Sequence, residues 1–282
     1  MGVHWYPGHM AKAKRILREQ LKLVDVAVEV LDARIPTSSQ NPDLDLMLGG
    51  RPRILVLNKA DLAEKEETRA WLAYYRGEGK KAVAVDAVRR TGANILTRYL
   101  FQSAGRQKAG RIGHSLLSKS VRVMVVGIPN VGKSSLINCL VRRTRAKTAA
   151  QPGVTRGPQW IRIEKGLDLL DTPGLLWPRF TSPETGFHLA ITGAISDRVY
   201  DWGEMAAYLI RYLQEYREGL LAKQYGLEND FGQEEELLKV LARKWGFLQT
   251  GGITDTEKAA LRLLQDFRQG KLGRITLEKA PR

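Results

Sequence analysis

Residues 121–135 read VRVMVVGIPNVGKSS, and this stretch decides what kind of domain the chain forms. A run of β-branched and apolar residues ends at Gly127, and residues 127–134 then fit the pattern G-x-x-x-x-G-K-S. Apolar residues at helical spacing follow from Leu136, so the pattern lies between a predicted strand and a predicted helix. That context is what a phosphate-binding loop requires, and the pattern alone arises by chance in only about one chain in a hundred of this length.

The residue types in this loop suit the binding of a nucleoside triphosphate. Glycines such as Gly132 allow backbone N–H groups to wrap the β- and γ-phosphates, and the following helix N-terminus adds partial positive charge. We predict that Lys133 neutralises phosphate oxygens and that the Ser134 hydroxyl binds Mg²⁺. The predicted phosphate-binding set also includes Asn130, Val131 and Ser135.

A second apolar strand, residues 167–171, ends in the sequence D-T-P-G. A carboxylate at the end of such a strand holds Mg²⁺ through water, which predicts a metal role for Asp171, while the Gly174 N–H senses the γ-phosphate. Between the two motifs, the loop 144–158 is rich in Thr, Gly and basic residues. We predict that Thr155 is its second Mg²⁺ ligand in the triphosphate state, although a threonine in a loop is in itself ordinary.

The identity of the base is predicted from a third strand, residues 53–58, which ends in the sequence N-K-A-D. Guanine presents N1–H and N2–H₂ side by side, so the Asp61 carboxylate can accept both hydrogen bonds, whereas adenine lacks that donor pair. The Lys59 stem covers the base and Asn58 joins the loops. After the next strand, Asp86 and Ala87 form a loop whose backbone N–H groups can reach guanine O6.

These motifs favour a GTPase with an α/β fold, in which a mostly parallel sheet carries helices on both faces. A P-loop kinase that phosphorylates a small molecule is the alternative enzyme. N-K-A-D and the absence of an obvious substrate lid argue against it.

The order of the motifs is unusual, because Asn58 precedes Gly127 by about seventy residues. Domain termini often lie close together, so a circular permutation is physically permissible. N-K-A-D, G-I-P-N-V-G-K-S and D-T-P-G-L-L-W-P, in this order, resemble the circularly permuted GTPases of the YlqF/YawG group. W-Y-P-G-H-M-A-K-A-K-R at 5–15, D-A-R-I-P at 32–36 and T-G-A-I at 192–195 look more narrowly like its branch acting in bacterial ribosome assembly.

The resemblance implies an assembly factor for late maturation of the large (50S) ribosomal subunit, which binds rRNA in its GTP state and is released on hydrolysis. Two alternatives stay open. One is a GTP-regulated RNA-binding module in which hydrolysis is incidental, and the other is a GTPase that acts on another RNA partner. In each case we expect GTP or GDP as ligand and Mg²⁺ as cofactor.

The water-orienting residue is not where small GTPases carry a glutamine, because Leu175 follows Gly174 here. Histidine suits that role near neutral pH, and the resemblance points to His9 in the P-G-H-M motif. A histidine beside aromatic residues is otherwise often a packing or surface residue. The predicted catalytic set is His9 with Lys133, Thr155 and Gly174.

Potassium is a further candidate ligand. In potassium-stimulated GTPases an asparagine at the position of Asn130 coordinates K⁺ beside the phosphates. An asparagine is equally acceptable there as a tight-turn residue.

Charge predicts a polyanionic partner. The net charge is +15, and residues 87–163 contain 15 basic residues and no carboxylate, a one-sidedness typical of phosphate-backbone binding. A basic surface that only keeps the protein soluble is the alternative. A predicted N-terminal helix, residues 8–24, is apolar on one face and is basic on the other, where we expect RNA to contact Lys12, Lys14, Arg15 and Arg18.

The chain is predicted to have two domains, a permuted GTPase domain at 1–178 with its joint at 103–120 and an all-α domain at 179–282. The second rests on three apolar stripes, one of which includes Tyr216, and on a capping box of Thr254 with Glu257. The resemblance implies that this domain contacts rRNA. No apolar run reaches the roughly 18 to 20 residues that a membrane span needs, so we expect a cytoplasmic protein, monomeric when it is alone.

Overall fold

A computed structural model of the protein describes residues 15–109, 120–142, 159–164, 166–171, 182–227 and 233–281. These residues form two compact units. The first contains the described part of the chain up to residue 171 together with residues 278–281, and the second contains residues 182–277. The fold class is therefore the predicted one, a mixed α/β unit followed by an all-α unit.

The first unit is built on a six-stranded sheet in the order β3-β2-β1-β4-β6-β5. All neighbouring strands are parallel except β5, which runs antiparallel to β6. The strands are β1 (Val26–Asp32), β2 (Arg53–Asn58), β3 (Lys81–Val85), β4 (Val121–Gly127), β5 (Gln159–Glu164) and β6 (Leu167–Asp171). All of β1 is buried, which explains why its sequence is apolar with little alternation, as expected for a parallel strand covered on both faces.

Helices cover both faces of this sheet. On one face, α1 (residues 15–21) and α2 (Leu44–Leu48) pack against Ala27 and Met124, and α3 (Lys65–Gly77) packs against Leu55 and Leu57 through Trp71. Over the other face, α4 (Ala93–Ala109) lies against β1 to β4, and α5 (Lys133–Arg142) lies against β4 and β5. The sheet interior is thus closed from water on both sides.

Three boundaries differ from the sequence prediction. Helix α1 ends at residue 21 instead of 24, because the chain must turn before Asp25 donates its N–H to the Arg122 carbonyl at 2.8 Å. Helix α4 continues to Ala109, so the start of the predicted joint at 103–120 is helical, and Ser103 is buried beside Lys81 with an Oγ to Nζ distance of 2.9 Å. Residues 110–119 lie outside the described residues.

The third difference concerns the C-terminus, which was predicted to belong wholly to the second domain. The Glu278 carboxylate instead accepts hydrogen bonds from the backbone N–H groups of Thr37 at 2.6 Å and Ser38 at 3.0 Å. The Trp71 indole donates to the Glu278 carbonyl at 3.0 Å. Because these partners all belong to the α/β unit, residues 278–281 are part of it.

The second unit is entirely helical apart from one short hairpin bridge between Leu248 and Thr254, in the part of the chain that the structure describes. Its helices are α6 (Pro183–Ile191), α7 (Trp202–Tyr216), α8 (Leu220–Tyr225), α9 (Glu234–Lys244) and α10 (Thr256–Arg268). The apolar stripes form its core, although Tyr216 is 46% exposed. The N-cap of α10 is Asp255, whose carboxylate accepts the Lys258 N–H at 3.0 Å, so the predicted capping box at Thr254 was wrong. Among the described helices, none combines the length and apolar character that a membrane span requires.

Candidate nucleotide-binding site

The register of the sheet brings the predicted motifs to one edge. Asp32 at the end of β1 is paired with Asn58 at the end of β2, and Asn58 is paired with Val85 at the end of β3. Gly127 is paired with Val30, and Asp171 at the end of β6 is paired with Val125. Because the strands are parallel, the loops that follow them leave the sheet on the same side, where open α/β sheets bind their ligands.

The phosphate loop begins where β4 crosses closest to β1. A Cβ atom on Gly127 would stand 2.6 Å from the Val30 carbonyl oxygen, so no other residue fits at this point. The loop then turns through Asn130 at φ +55° and Gly132 at φ +96° before α5 begins. Its sequence is therefore required by backbone geometry as well as by phosphate chemistry.

The predicted phosphate and metal ligands lie at the start of α5. Lys133 is 8% exposed, and its Nζ donates to the Ile128 carbonyl at 2.8 Å, across the mouth of the loop. Ser134 and Ser135 are exposed in the first turn of the helix, and Asn130 is exposed in the loop before it. A lysine ammonium and hydroxyls at a helix N-terminus suit the binding of an anionic group and its counter-cation.

Asn58 joins the base motif to the phosphate loop. Its side chain is buried, and Nδ2 donates to the Val131 carbonyl at 2.9 Å. A Cβ atom on Gly132 would stand only 2.2 Å from this Nδ2, so the two motifs are in direct contact. The structure thus gives Asn58 the loop-joining contact that the sequence analysis predicted for it.

Lys59 and Asp61 follow on a sharply turned loop. Lys59 has φ +57°, and the Ala60 N–H donates to the Val85 carbonyl at 3.2 Å, which ties the loop to the end of β3. Asp61 is half-buried. The Lys59 Nζ lies 3.0 Å from Asp32 Oδ2, so the side chain is held at the edge of the sheet.

Asp32 and Arg34 form an ion pair that was not predicted from the sequence, where they were noted only as part of the D-A-R-I-P resemblance. Both side chains are almost fully buried, and the Arg34 guanidinium donates through Nε to Oδ1 at 2.9 Å and through Nη2 to Oδ2 at 2.8 Å. Burial would raise the pKa of Asp32, but the charges of Arg34 and Lys59 outweigh it and hold the pKa well below its usual range. A charged residue pair two positions apart after an apolar strand was the signal available in the sequence.

In the loop after β3, both the carboxylate and the N–H of Asp86 bond within the loop. Its carboxylate is buried and accepts the N–H groups of Val88 at 3.0 Å and Arg89 at 2.9 Å. The Asp86 N–H donates to the Thr91 carbonyl at 3.2 Å. The side chain is therefore engaged in shaping its own loop, an Asx-type turn, and the base contact expected near Ala87 stays a prediction for the backbone.

Several predicted site residues lie outside the described residues, namely His9, Lys12, Lys14, Thr155 and Gly174. Of the predicted RNA-binding residues, Arg15 and Arg18 are described, and both are exposed on α1. Leu17 and Leu21 are buried on the opposite side of this helix, whereas Ile16 is 42% exposed. The basic face of α1 is therefore open to a partner.

Known proteins are similar to this chain over nearly its full length. A family model described as "50S ribosome-binding GTPase" matches residues 122–199. The chain is 39% identical to Ribosome biogenesis GTPase A of Bacillus cereus, with 99% of this chain and 94% of that protein aligned. It is 36% identical to Mitochondrial ribosome-associated GTPase 1 of Xenopus tropicalis, with 98% and 94% aligned.

Solved structures show the same extent of similarity. A crystal structure of GNP-bound YlqF from Thermotoga maritima superposes with a TM-score of 0.66 at 30% identity and covers 95% of this chain and 98% of that one. A GDP-bound structure of the same protein superposes with a TM-score of 0.65 at 28% identity and covers 93% and 98%. The similarity extends beyond the phosphate loop and through both units.

Proposed function

Because this chain belongs to the ribosome biogenesis GTPase A family and is a GTPase, we propose that it acts on the precursor of the large ribosomal subunit. In this proposal the GTP form binds rRNA on the immature particle, and hydrolysis releases the protein late in maturation. The names of the relatives support a role in ribosome assembly. The choice of the large subunit is supported by the description of the matching family model.

The observation that carries the proposal is the hydrogen bond from Asn58 Nδ2 to the Val131 carbonyl. It joins the base motif and the phosphate motif into one continuous site, although they lie far apart along the chain. In this site Asp61 accepts the paired donors of guanine and the Lys59 stem covers the base. Backbone N–H groups from Asn130 to Ser135 wrap the phosphates, and Lys133 moves its ammonium from the Ile128 carbonyl to a phosphate oxygen.

The residues present fit a Mg²⁺ ion. Ser134 is exposed in the first turn of α5 and carries a hydroxyl, a hard oxygen donor of the kind that Mg²⁺ prefers, and Asp171 is the last residue of the strand beside β4. Ser134 would hold the ion, joined by Thr155 in the triphosphate state, and Asp171 would be the further carboxylate ligand. When bound, Mg²⁺ neutralises charge on the transferring phosphoryl group.

Hydrolysis requires a group that orients the attacking water, and we assign this role to His9. Lys133 stabilises the charge on the phosphates, and the Gly174 N–H donates a hydrogen bond to the γ-phosphate. Asn130, exposed at the mouth of the loop, is the residue that would hold a potassium ion. A rate that is higher in potassium than in sodium is the expected sign of that role.

The charge distribution supports an RNA partner. Arg15 and Arg18 are exposed on α1, and we assign them to phosphate contacts together with Lys12 and Lys14. Since phosphate contacts release counterions, binding should weaken steeply as salt rises. Docking through this element brings His9 to the water, which makes hydrolysis conditional on the correct particle.

The test is GTP hydrolysis by the protein alone, with immature large subunits, with mature large subunits and with small subunits, each in potassium and in sodium. The proposal expects strong stimulation by large-subunit particles and none by small subunits. Equal stimulation by small subunits or by unrelated RNA would favour a GTPase with another RNA partner. Tight GTP-dependent binding to large subunits without faster hydrolysis would favour the binding-module alternative.

A double substitution tests the RNA contacts. Arg15→Gln with Arg18→Gln should weaken binding to the large subunit by about tenfold or more at physiological salt. The slope of log affinity against log salt concentration should become shallower by about two. The matched control is Arg69→Gln, an exposed arginine on α3 paired only loosely with Glu66 at 3.8 Å. Unchanged affinity and an unchanged salt slope in the double variant would remove α1 from the RNA-binding surface.

A further inference from the structure

The Asp32 carboxylate, at the carboxyl edge of the sheet, lies between two cationic side chains, Arg34 and Lys59. Lys59 belongs to the N-K-A-D base motif. Asp32 Oδ2 is 3.0 Å from Lys59 Nζ and 2.8 Å from Arg34 Nη2. We propose that Asp32 is a positioning residue that sets the affinity of this enzyme for guanine nucleotides by holding the Lys59 side chain at the base site. Arg34 in turn holds Asp32. The inference rests on the base-covering role proposed for Lys59 above.

Lys59 needs such a holder because its side chain is long and flexible. Its side chain is 24% exposed, so part of the stem borders solvent at the edge of the sheet. A lysine carries four rotatable bonds, and a nucleotide that must order them loses binding free energy. An ion pair at Nζ fixes the far end of the chain, so the stem is already extended along the sheet edge when the base arrives.

Asp32 is suited to this task because hydrogen bonds hold both its carboxylate and its backbone. Arg34 binds it through two parallel hydrogen bonds, and the Arg34 N–H donates to Oδ1 at 3.1 Å. The Asp32 N–H donates to Ser39 Oγ at 3.0 Å, and Ser39 Oγ donates to the Ile35 carbonyl at 2.7 Å. The carboxylate is 2% exposed, so it offers Lys59 a rigid, ionised partner at one position.

The same strand provides a contrast. Glu29 is also buried on β1 and pairs with an arginine of β2, with 3.0 Å between Glu29 Oε2 and Arg53 Nη1. Its other oxygen accepts the Asn41 N–H at 2.7 Å. This pair lies three residues before the end of β1, whereas Asp32 is the last residue of that strand. Glu29 is therefore a matched control for the loss of a buried carboxylate.

The experiment compares Asp32→Asn with Glu29→Gln. Asp32→Asn should raise KM for GTP and Kd for GDP by about three- to tenfold, the size of one newly mobile side chain, with kcat unchanged at saturating GTP. Glu29→Gln should lower the unfolding midpoint with KM and Kd unchanged. If Asp32 had only a structural role, Asp32→Asn would lower the fraction of folded enzyme, and hence the apparent kcat, and would leave KM unchanged. That result would overturn the inference.

A double-mutant cycle tests the coupling to Lys59. Lys59→Met keeps the stem and removes the ammonium, so adding Asp32→Asn to it should raise KM no further. An equal, additional rise in that background would overturn the inference. Asp32→Asn leaves Arg34 buried with less charge compensation, so this variant can fail to fold. In that case the double variant Asp32→Asn with Arg34→Met replaces it, and we expect the same rise in KM for GTP, about three- to tenfold.

Failure of the proposed guanine site and failure of the positioning role of Asp32 give different results. If it bound ADP as tightly as GDP, the proposed guanine site itself would fail, and the inference would fall with it. If the wild-type protein preferred GDP while the Asp32 variants kept the wild-type KM and Kd, only the positioning role would fail.

Discussion

One charged cluster in each unit shows how differently the two units use their ionic groups. In the α/β unit, buried Asp32, Arg34 and Lys133 all lie at the carboxyl edge of the sheet, beside the loops that carry the nucleotide motifs. In the helical unit, a partly buried network around Arg268 ties helix ends to one another. The first cluster lies at the edge where we propose that the nucleotide binds, whereas the second, like the Glu29–Arg53 pair of the α/β unit, holds the fold.

The helical network is centred on Arg268 at the end of α10. Its guanidinium donates to the Ala190 carbonyl at 2.8 Å and the Ile191 carbonyl at 3.0 Å, which are the last carbonyls of α6. It also pairs with Asp197 at 3.0 Å and donates to the Tyr200 hydroxyl at 2.6 Å. Burial and the hydrogen bond to Asp197 raise the pKa of Tyr200 to about 12. All of these groups bond to partners in the same unit, so the network explains stability rather than chemistry.

Substitution of Lys133 should have the largest effect. Lys133→Met removes the ammonium that we assign to the phosphates, and kcat should fall by about 10²- to 10³-fold, as for the loss of one group that stabilises transition-state charge. The control is Asn138→Ala, an exposed residue on the same helix, which should keep the wild-type rate. Single-turnover GTP hydrolysis measures both. A Lys133 variant with near wild-type kcat would place the phosphates elsewhere.

Substitution of Gly132 should have an intermediate effect. In Gly132→Ala the new Cβ would meet Asn58 Nδ2 at 2.2 Å, which pushes the base motif away from the phosphate loop. GDP affinity should fall by on the order of tenfold or more. Gly50→Ala is the matched control, because Gly50 also has a positive φ of +79° but has nothing within 4 Å of a Cβ. Titration calorimetry with GDP compares them, and equal losses in both would mean that backbone strain alone is responsible.

Substitution of Arg268 should leave nucleotide binding unchanged. Arg268→Met should cost about 1 to 3 kcal/mol of unfolding free energy, since it strips buried carbonyls of their donor. Arg211→Met removes an exposed pair with Glu234 in the same unit and should cost at most about 1 kcal/mol. Thermal unfolding measures stability and GDP titration measures Kd. A changed Kd in Arg268→Met would contradict the division between the two units.

Much of the fold could be predicted because its signals are local. The strand, loop and helix around Gly127 follow from β-branched residues, glycines and helical spacing within fifteen residues, and the structure contains all three. The helical unit likewise follows from apolar stripes. Boundaries were less predictable, as at α1 and α4, because the end of a helix depends on what the next segment must reach.

In the candidate site too, some features could be predicted from the sequence and others depended on packing. Residue types alone predicted the phosphate loop, the guanine motif and the enzyme class, because these chemistries require particular residues at short spacing, and the relatives confirm the enzyme class. Residue types did not show that Asp86 turns its carboxylate into its own loop, that Glu278 returns to the α/β unit, or that Asp32 holds Lys59. Those contacts depend on which strands become neighbours and in what register, and that is set by packing over the whole sheet.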